Sequence, residues 1–284
     1  MASNSELLIR GESSWLGGFT NLWGKENHRW WGTRYWLVQF IIWMLIINGI
    51  TFFIYKTPVE EMYGSDSGEA SETEQAELQM MQQHPELLGL IPFMRLAGLG
   101  MVIGVLVIAQ GAIIREKQSG TAAWVLSKPV SRTAFVLSKL AGLGLGIFGV
   151  MCVLIGAILY VQIWLTTGVQ IPVLHFAAMF SLVFLDLFFY LTLSIMLGTI
   201  FNSRGALIGI PLILLFTYMI IPNLPVWLME VMPWNLLDNL NQPALALSVV
   251  QGQPIQSFSP LIATVLWCTS FIGVAIWRFH REEF

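Results

Sequence analysis

The chain has 284 residues, of which 56% are hydrophobic and only 11% charged, with a net charge of −3. Soluble domains carry about 25% charged residues, so this chain cannot cover its own surface with charge, and both a free soluble protein and a disordered one are excluded. With a mean hydropathy of +0.69 it reads as an integral membrane protein of the all-α class, and so small a net charge gives no reason to expect nucleic acid as a partner.

The N-terminal stretch, residues 1–35, holds no signal-peptide core, so the first apolar span is expected to act as an uncleaved signal anchor. Within it Trp15, Phe19, Leu22 and Trp23 recur at helical spacing, followed by Trp30 and Trp31 among Lys25, Arg29 and Arg34. Aromatic residues on one face and basic ones on the other describe a helix lying in the membrane interface. The alternative is an aromatic belt at the mouth of the first span.

A helix needs about 20 apolar residues to cross a bilayer. Trp36–Tyr55, Leu87–Ile114, Ala134–Thr166, Val173–Phe201, Ala206–Ile221 and Pro260–Trp277 are the candidates, giving six expected spans in a single transmembrane domain over 1–284. Ala206–Ile221 is short and contains Pro211, and Arg95 should snorkel outward from the start of its span.

Charge fixes the expected orientation. With both termini in the cytoplasm, 12 of the 14 basic residues lie inside, and only Lys56 and Arg95 fall outside. Basic residues prefer the cytoplasmic side, so a multi-pass plasma-membrane protein with both ends inside is expected.

Between the first two spans, residues 56–90 form an acidic outer loop. There Ser71-x-x-Glu74 reads as a capping box opening a short helix through about Gln83, made acidic by Glu69, Glu72, Glu74 and Glu77. It is either a solvated face or a cation-binding one. Residues 222–260 differ, being apolar, with Trp227 and Trp234, and broken by Pro225, Pro233, Pro243 and Pro254. Short re-entrant helices before the last span are expected, their backbone ends covered by protein.

Residues 115–133 are the one cytoplasmic stretch between spans with room for a structured element. Thr121 can cap a helical turn of Ala122–Ser127, and Pro129 stops it while biasing Lys128 away from helical geometry. The next helix can then begin at Ser131. Trp124 and Leu126 are too few to form a core alone, so they call for an outside partner.

The run Glu116-x-x-x-Gly120-Thr121-x-x-x-x-Leu126-Ser127-x-Pro129-Val130-Ser131-Arg132, with Lys139 beyond it, resembles the cytoplasmic signature of type-2 ABC exporter permeases. Leu197–Gly205 is similar to the junction between the fourth and fifth spans there. The resemblance implies an N-terminal elbow helix, six spans and a coupling helix seated in a groove of an ATPase subunit. Glu116, Gly120, Thr121, Trp124, Leu126, Ser127, Pro129, Ser131 and Arg132 are then the residues expected to meet that ATPase. It also implies a second permease copy, or a related one, as partner within the lipid bilayer.

The chain has no Gly-x-x-x-x-Gly-Lys-Ser/Thr phosphate loop, so it is not expected to be an enzyme; ATP and Mg belong to the partner subunit. The expected function is an ATP-driven exporter permease. The alternative is an ATP-driven mechanical transmitter that moves no solute and grips an extracytoplasmic partner through the acidic outer helix.

Within the spans, Asp186 is the one deeply placed acid. A charge at the bilayer centre costs several kcal/mol, so it either lines a translocation path or ties helices together near Thr192 or Ser194. Gly100/Gly104, Gly142/Gly146 and Gly205/Gly209 allow close helix approach, within one chain or between two copies. Cys152 and Cys268 sit in apolar runs and offer neither a disulfide framework nor a metal site.

Overall fold

A computed structural model describes residues 15–57, 83–221, 225–237, 244–255 and 257–282, and these residues form helices and connecting turns without a strand. The expected acidic helix Ser71–Gln83 lies, but for Gln83, outside the described residues.

The chain opens with α1 (Phe19–Trp31) and α2 (Tyr35–Lys56). The second apolar helix, α3, runs Leu87–Leu96, Ala97–Met101 and Val102–Ala109 without a break. A turn at 110–113 then leads to the short α4 (Ile114–Gln118) and α5 (Thr121–Leu126). Two long helices follow, α6 (Arg132–Thr167) and α7 (Val173–Ile200). After α8 (Arg204–Ile220) come the short α9 (Val226–Val231), α10 (Trp234–Leu237) and α11 (Leu245–Val250), and α12 (Ser259–His280) closes the bundle.

Five helical stretches are long and apolar enough to cross a membrane, those built on α2, α3, α6, α7 and α12. Where a sixth span is expected lies α8, a helix of 17 residues with Pro211 inside it, too short to count among those five. At 1.5 Å per residue it covers about 25 Å, just under the hydrocarbon thickness of about 30 Å. Its 28 residues make α7 about 42 Å long. It is buried on most sides and forms the centre of the bundle, whereas α2 and α12 lie at the periphery.

Three helices contain a π-helical turn at mid-length: Met44–Asn48 in α2, Ala97–Met101 in α3 and Phe148–Leu154 in α6. Such turns widen the helix and free backbone groups. Asn48, at the end of the first, is buried, and its Nδ2 donates to the Ile155 carbonyl just beyond the third at 3.4 Å. By contrast α7 and α12 run without a π turn, and Pro260 in α12 sits at its first turn, where a missing N–H costs nothing.

The small-residue pairs resolve differently from one another. Gly142 and Gly146 face α1: a Cβ at Gly142 would meet the Glu26 Cβ, and one at Gly146 would collide with the Trp30 ring. Gly149 takes Trp31 in the same way. This glycine stripe on α6 is therefore a seat for α1 within the chain. Gly104 likewise accepts the Trp43 ring, while Gly205 and Gly209 face open space.

At the far end, the described residues of 222–260 that precede α12 form three short helices, α9, α10 and α11. Trp234, Leu236, Leu237, Leu245, Ala246 and Val250 are buried. Trp267 Nε1 donates to the Val231 carbonyl at 3.0 Å, satisfying the end of α9 from a point eight residues inside α12.

Candidate functional site

Four pieces of chain meet at one end of the bundle: α1, the α4–α5 hairpin, the start of α6 and the end of α12. The site is built from why each stops there. Ser131 caps α6, its Oγ accepting from Ala134 N at 2.9 Å. The same hydroxyl donates to the Trp15 carbonyl at 2.5 Å, and Ser131 N donates to the Gly17 carbonyl at 2.9 Å, which pins the entry to α1. The turn into α5 differs from expectation. Gly120, not Thr121, sits at the cap, with φ 70°, a left-handed conformation natural to glycine. Thr121 is instead the first helical residue, its hydroxyl 2.8 Å from Ser119 Oγ.

α5 has two faces. Ala122 and Val125 are buried and Leu126 is half-buried against the core of the chain. Trp124 points away and is 62% exposed, with Lys128 Nζ 3.7 Å above its ring. Ser127 and Pro129 are exposed beside it, and Ser127 Oγ donates to the Trp124 carbonyl at 2.7 Å. An aromatic ring held by a cation–π contact on an open surface is a ready anchor for another protein.

Glu116 and Arg132, expected to face the same partner, turn inward. Lys139 Nζ is buried 2.7 Å from Glu26 Oε1 and 2.9 Å from Glu116 Oε1, and Lys25 Nζ reaches Glu116 at 3.2 Å. Burial pushes the Glu116 carboxyl up, but the ammonium groups of Lys139 and Lys25 outweigh it and hold the group below its ordinary range. Arg132 Nη1 donates to the carbonyls of Phe279, His280 and Glu282 at 3.3, 2.6 and 2.8 Å. It thus closes the C-terminus of α12, where orphan carbonyls and the helix dipole both favour a cation.

A buried ion cluster thus links α1, α4 and α6 beneath a short helix with an exposed Trp. No group of three or more His, Cys, Asp or Glu suited to a metal occurs among the described residues. A family model described as ABC-2 family transporter protein matches residues 32–284. The chain belongs to the ABC-2 transporter family. No curated protein matches it significantly. As an ABC-2 permease it is the membrane subunit of an ABC transporter, working with separate ATPase subunits.

Asp186 lies in the middle of α7, buried, and its Oδ2 has no hydrogen-bond partner among the described residues. Thr192 and Ser194 are buried too, but Thr192 donates to the Phe189 carbonyl, so it does not serve the carboxyl. Both cysteines are free and buried. Sequence reasoning missed Glu26 entirely. The available signal was its place in the Phe19, Leu22, Glu26, Trp30 stripe, a helical face on which an acid has to find a buried cation.

Proposed function

We propose that this ABC-2 permease is the membrane half of an ATP-driven exporter and that α5 is its coupling helix, seated in the ATPase subunit. The single observation behind this reading is the two-faced α5, which buries Ala122 and Val125 in its own chain and leaves Trp124 exposed. Thr121, Ser127 and Pro129 frame that anchor. Glu116, Ser131 and Arg132 hold the helix in place from within. Two permeases, identical or related, would enclose the path. Closure of two ATPase subunits on ATP would then drive α5 against the bundle.

An amphiphilic cargo suits the surface best. A lateral groove of about 610 Å³ opens between α1, α6 and α7, lined by Phe19, Leu140, Phe148, Phe184 and Phe188. Such a wall accepts an alkyl or aromatic tail directly from the membrane.

Copurification from detergent tests the reading. The wild-type chain should bring down an ATP-binding subunit. Trp124→Glu with Lys128→Glu should lose it while keeping the same elution volume as wild type. Retention of the subunit by that double variant would sink the assignment of α5.

A further inference from the structure

Several contacts at the end of α12 come from residues that bracket the coupling helix. Before α5, Lys117 forms an ion pair with Glu282. After it, Arg132 holds three carbonyls, Thr133 Oγ1 lies 3.0 Å from His280 Nε2, and Phe135 stacks on Phe279 at 5.0 Å and 8°. A push on α5 therefore reaches the end of α12 from both sides at once.

What lies beyond that end decides where the push goes. The helices α2, α3 and α6 each carry a π turn at mid-length, and α8 carries Pro211, all places where a helix bends. α12 is 22 residues of uninterrupted α-helix. Eight residues from its other end, Trp267 Nε1 grips the Val231 carbonyl of α9 at 3.0 Å. α9 is one of the short helices at the opposite face, and its Trp227 is 65% exposed.

We infer that Arg132 is a positioning residue that fastens α12 to the α5–α6 junction, and that α12 carries movement of α5 to the opposite face, where Trp267 passes it to Val226–Val231. The inference deepens the proposed coupling role and rests on it for the source of the movement. The linkage itself is a property of this chain alone. Guanidinium geometry matters here, because its rigid plane holds the two N–H donors of Nη1 among three carbonyls that share them, whereas an ammonium is a compact charge on a flexible stem.

Amide hydrogen exchange on the whole permease in lipid nanodiscs, without any ATPase, tests the linkage. Arg132→Gln should speed exchange about threefold or more at residues 276–282, and by a comparable factor at 226–231 on the far side. Trp267→Phe, which keeps an aromatic side chain and removes the donor, should speed exchange at 226–231 and leave 276–282 unchanged. Arg132→Lys should fall between wild type and Arg132→Gln at both ends, and it serves if Arg132→Gln fails to fold. Faster exchange confined to 276–282 in the Arg132 variants would make the residue a local cap only and overturn the inference. Because no ATPase is present, that result would leave the coupling role of α5 standing, and loss of copurification would not touch this linkage.

Discussion

Glu26 and Lys139, 113 residues apart in sequence, form a buried ion pair of 2.7 Å where α1 crosses α6. Lys139 also pairs with Glu116, so one ammonium joins α1, α4 and α6. Removing one partner of a buried pair leaves the other charge uncompensated, at a cost of about 3–5 kcal/mol. Lys139→Met should accordingly lower the thermal midpoint in detergent sharply. The double variant Glu26→Gln, Lys139→Met should recover part of the loss, and equal midpoints for the single and double variants would contradict the pairing.

The glycine seat beneath α1 makes a sharper structural prediction. Gly146→Leu places a side chain where the Trp30 ring lies and should destabilise by about 1–3 kcal/mol or detach α1. Gly209→Leu, facing open space within the chain, should leave the unfolding of the permease unchanged. Trp fluorescence during denaturation follows both. Loss of self-association in Gly209→Leu alone would assign that glycine to a contact between copies.

Acid should loosen the elbow. The folded Glu116 carboxyl titrates below its ordinary value of 4.5, chiefly because its two lysine neighbours outweigh its burial. A depressed carboxyl contributes stability that is present above the unfolded value and is lost as pH falls through the folded one. The expected loss therefore sits below about pH 4.5. Glu116→Gln should flatten that acid limb in a series of midpoints from neutral pH downward. A limb as steep as that of the wild type would remove Glu116 from the explanation.

Much of this was legible in the sequence, for identifiable reasons. Hydropathy located every long helix, because twenty apolar residues have few other fates, and Pro129 with Ser131 marked the break between α5 and α6. Thr121 was misplaced by one position, since a threonine and a left-handed glycine are both good helix starts and only the backbone angle separates them. The direction of Glu116 and Arg132 was illegible for a deeper reason. A signature names residues without saying which way they face, and their partners, Lys139 and the carbonyls of 279–282, come from distant helices. Asp186 could be placed by depth, but nothing along the chain tells which helix its carboxyl meets.

That carboxyl supplies another expectation. Asp186 is buried with Oδ2 unpartnered among the described residues, and an amide is cheaper to bury than an ionised acid. Asp186→Asn should match or exceed the wild-type thermal midpoint. Transport lost in Asp186→Asn with that stability intact would assign the residue to the translocation path.

The coupling role of α5 is tested most directly by a photoreactive phenylalanine placed at position 124 in membranes containing the assembled transporter. A second copy of the probe at position 213, on an exposed face of α8, serves as the comparison. Position 124 should crosslink to an ATP-binding subunit and position 213 should not. Crosslinking of position 124 to lipid alone, with the subunit present in the same membranes, would contradict the account.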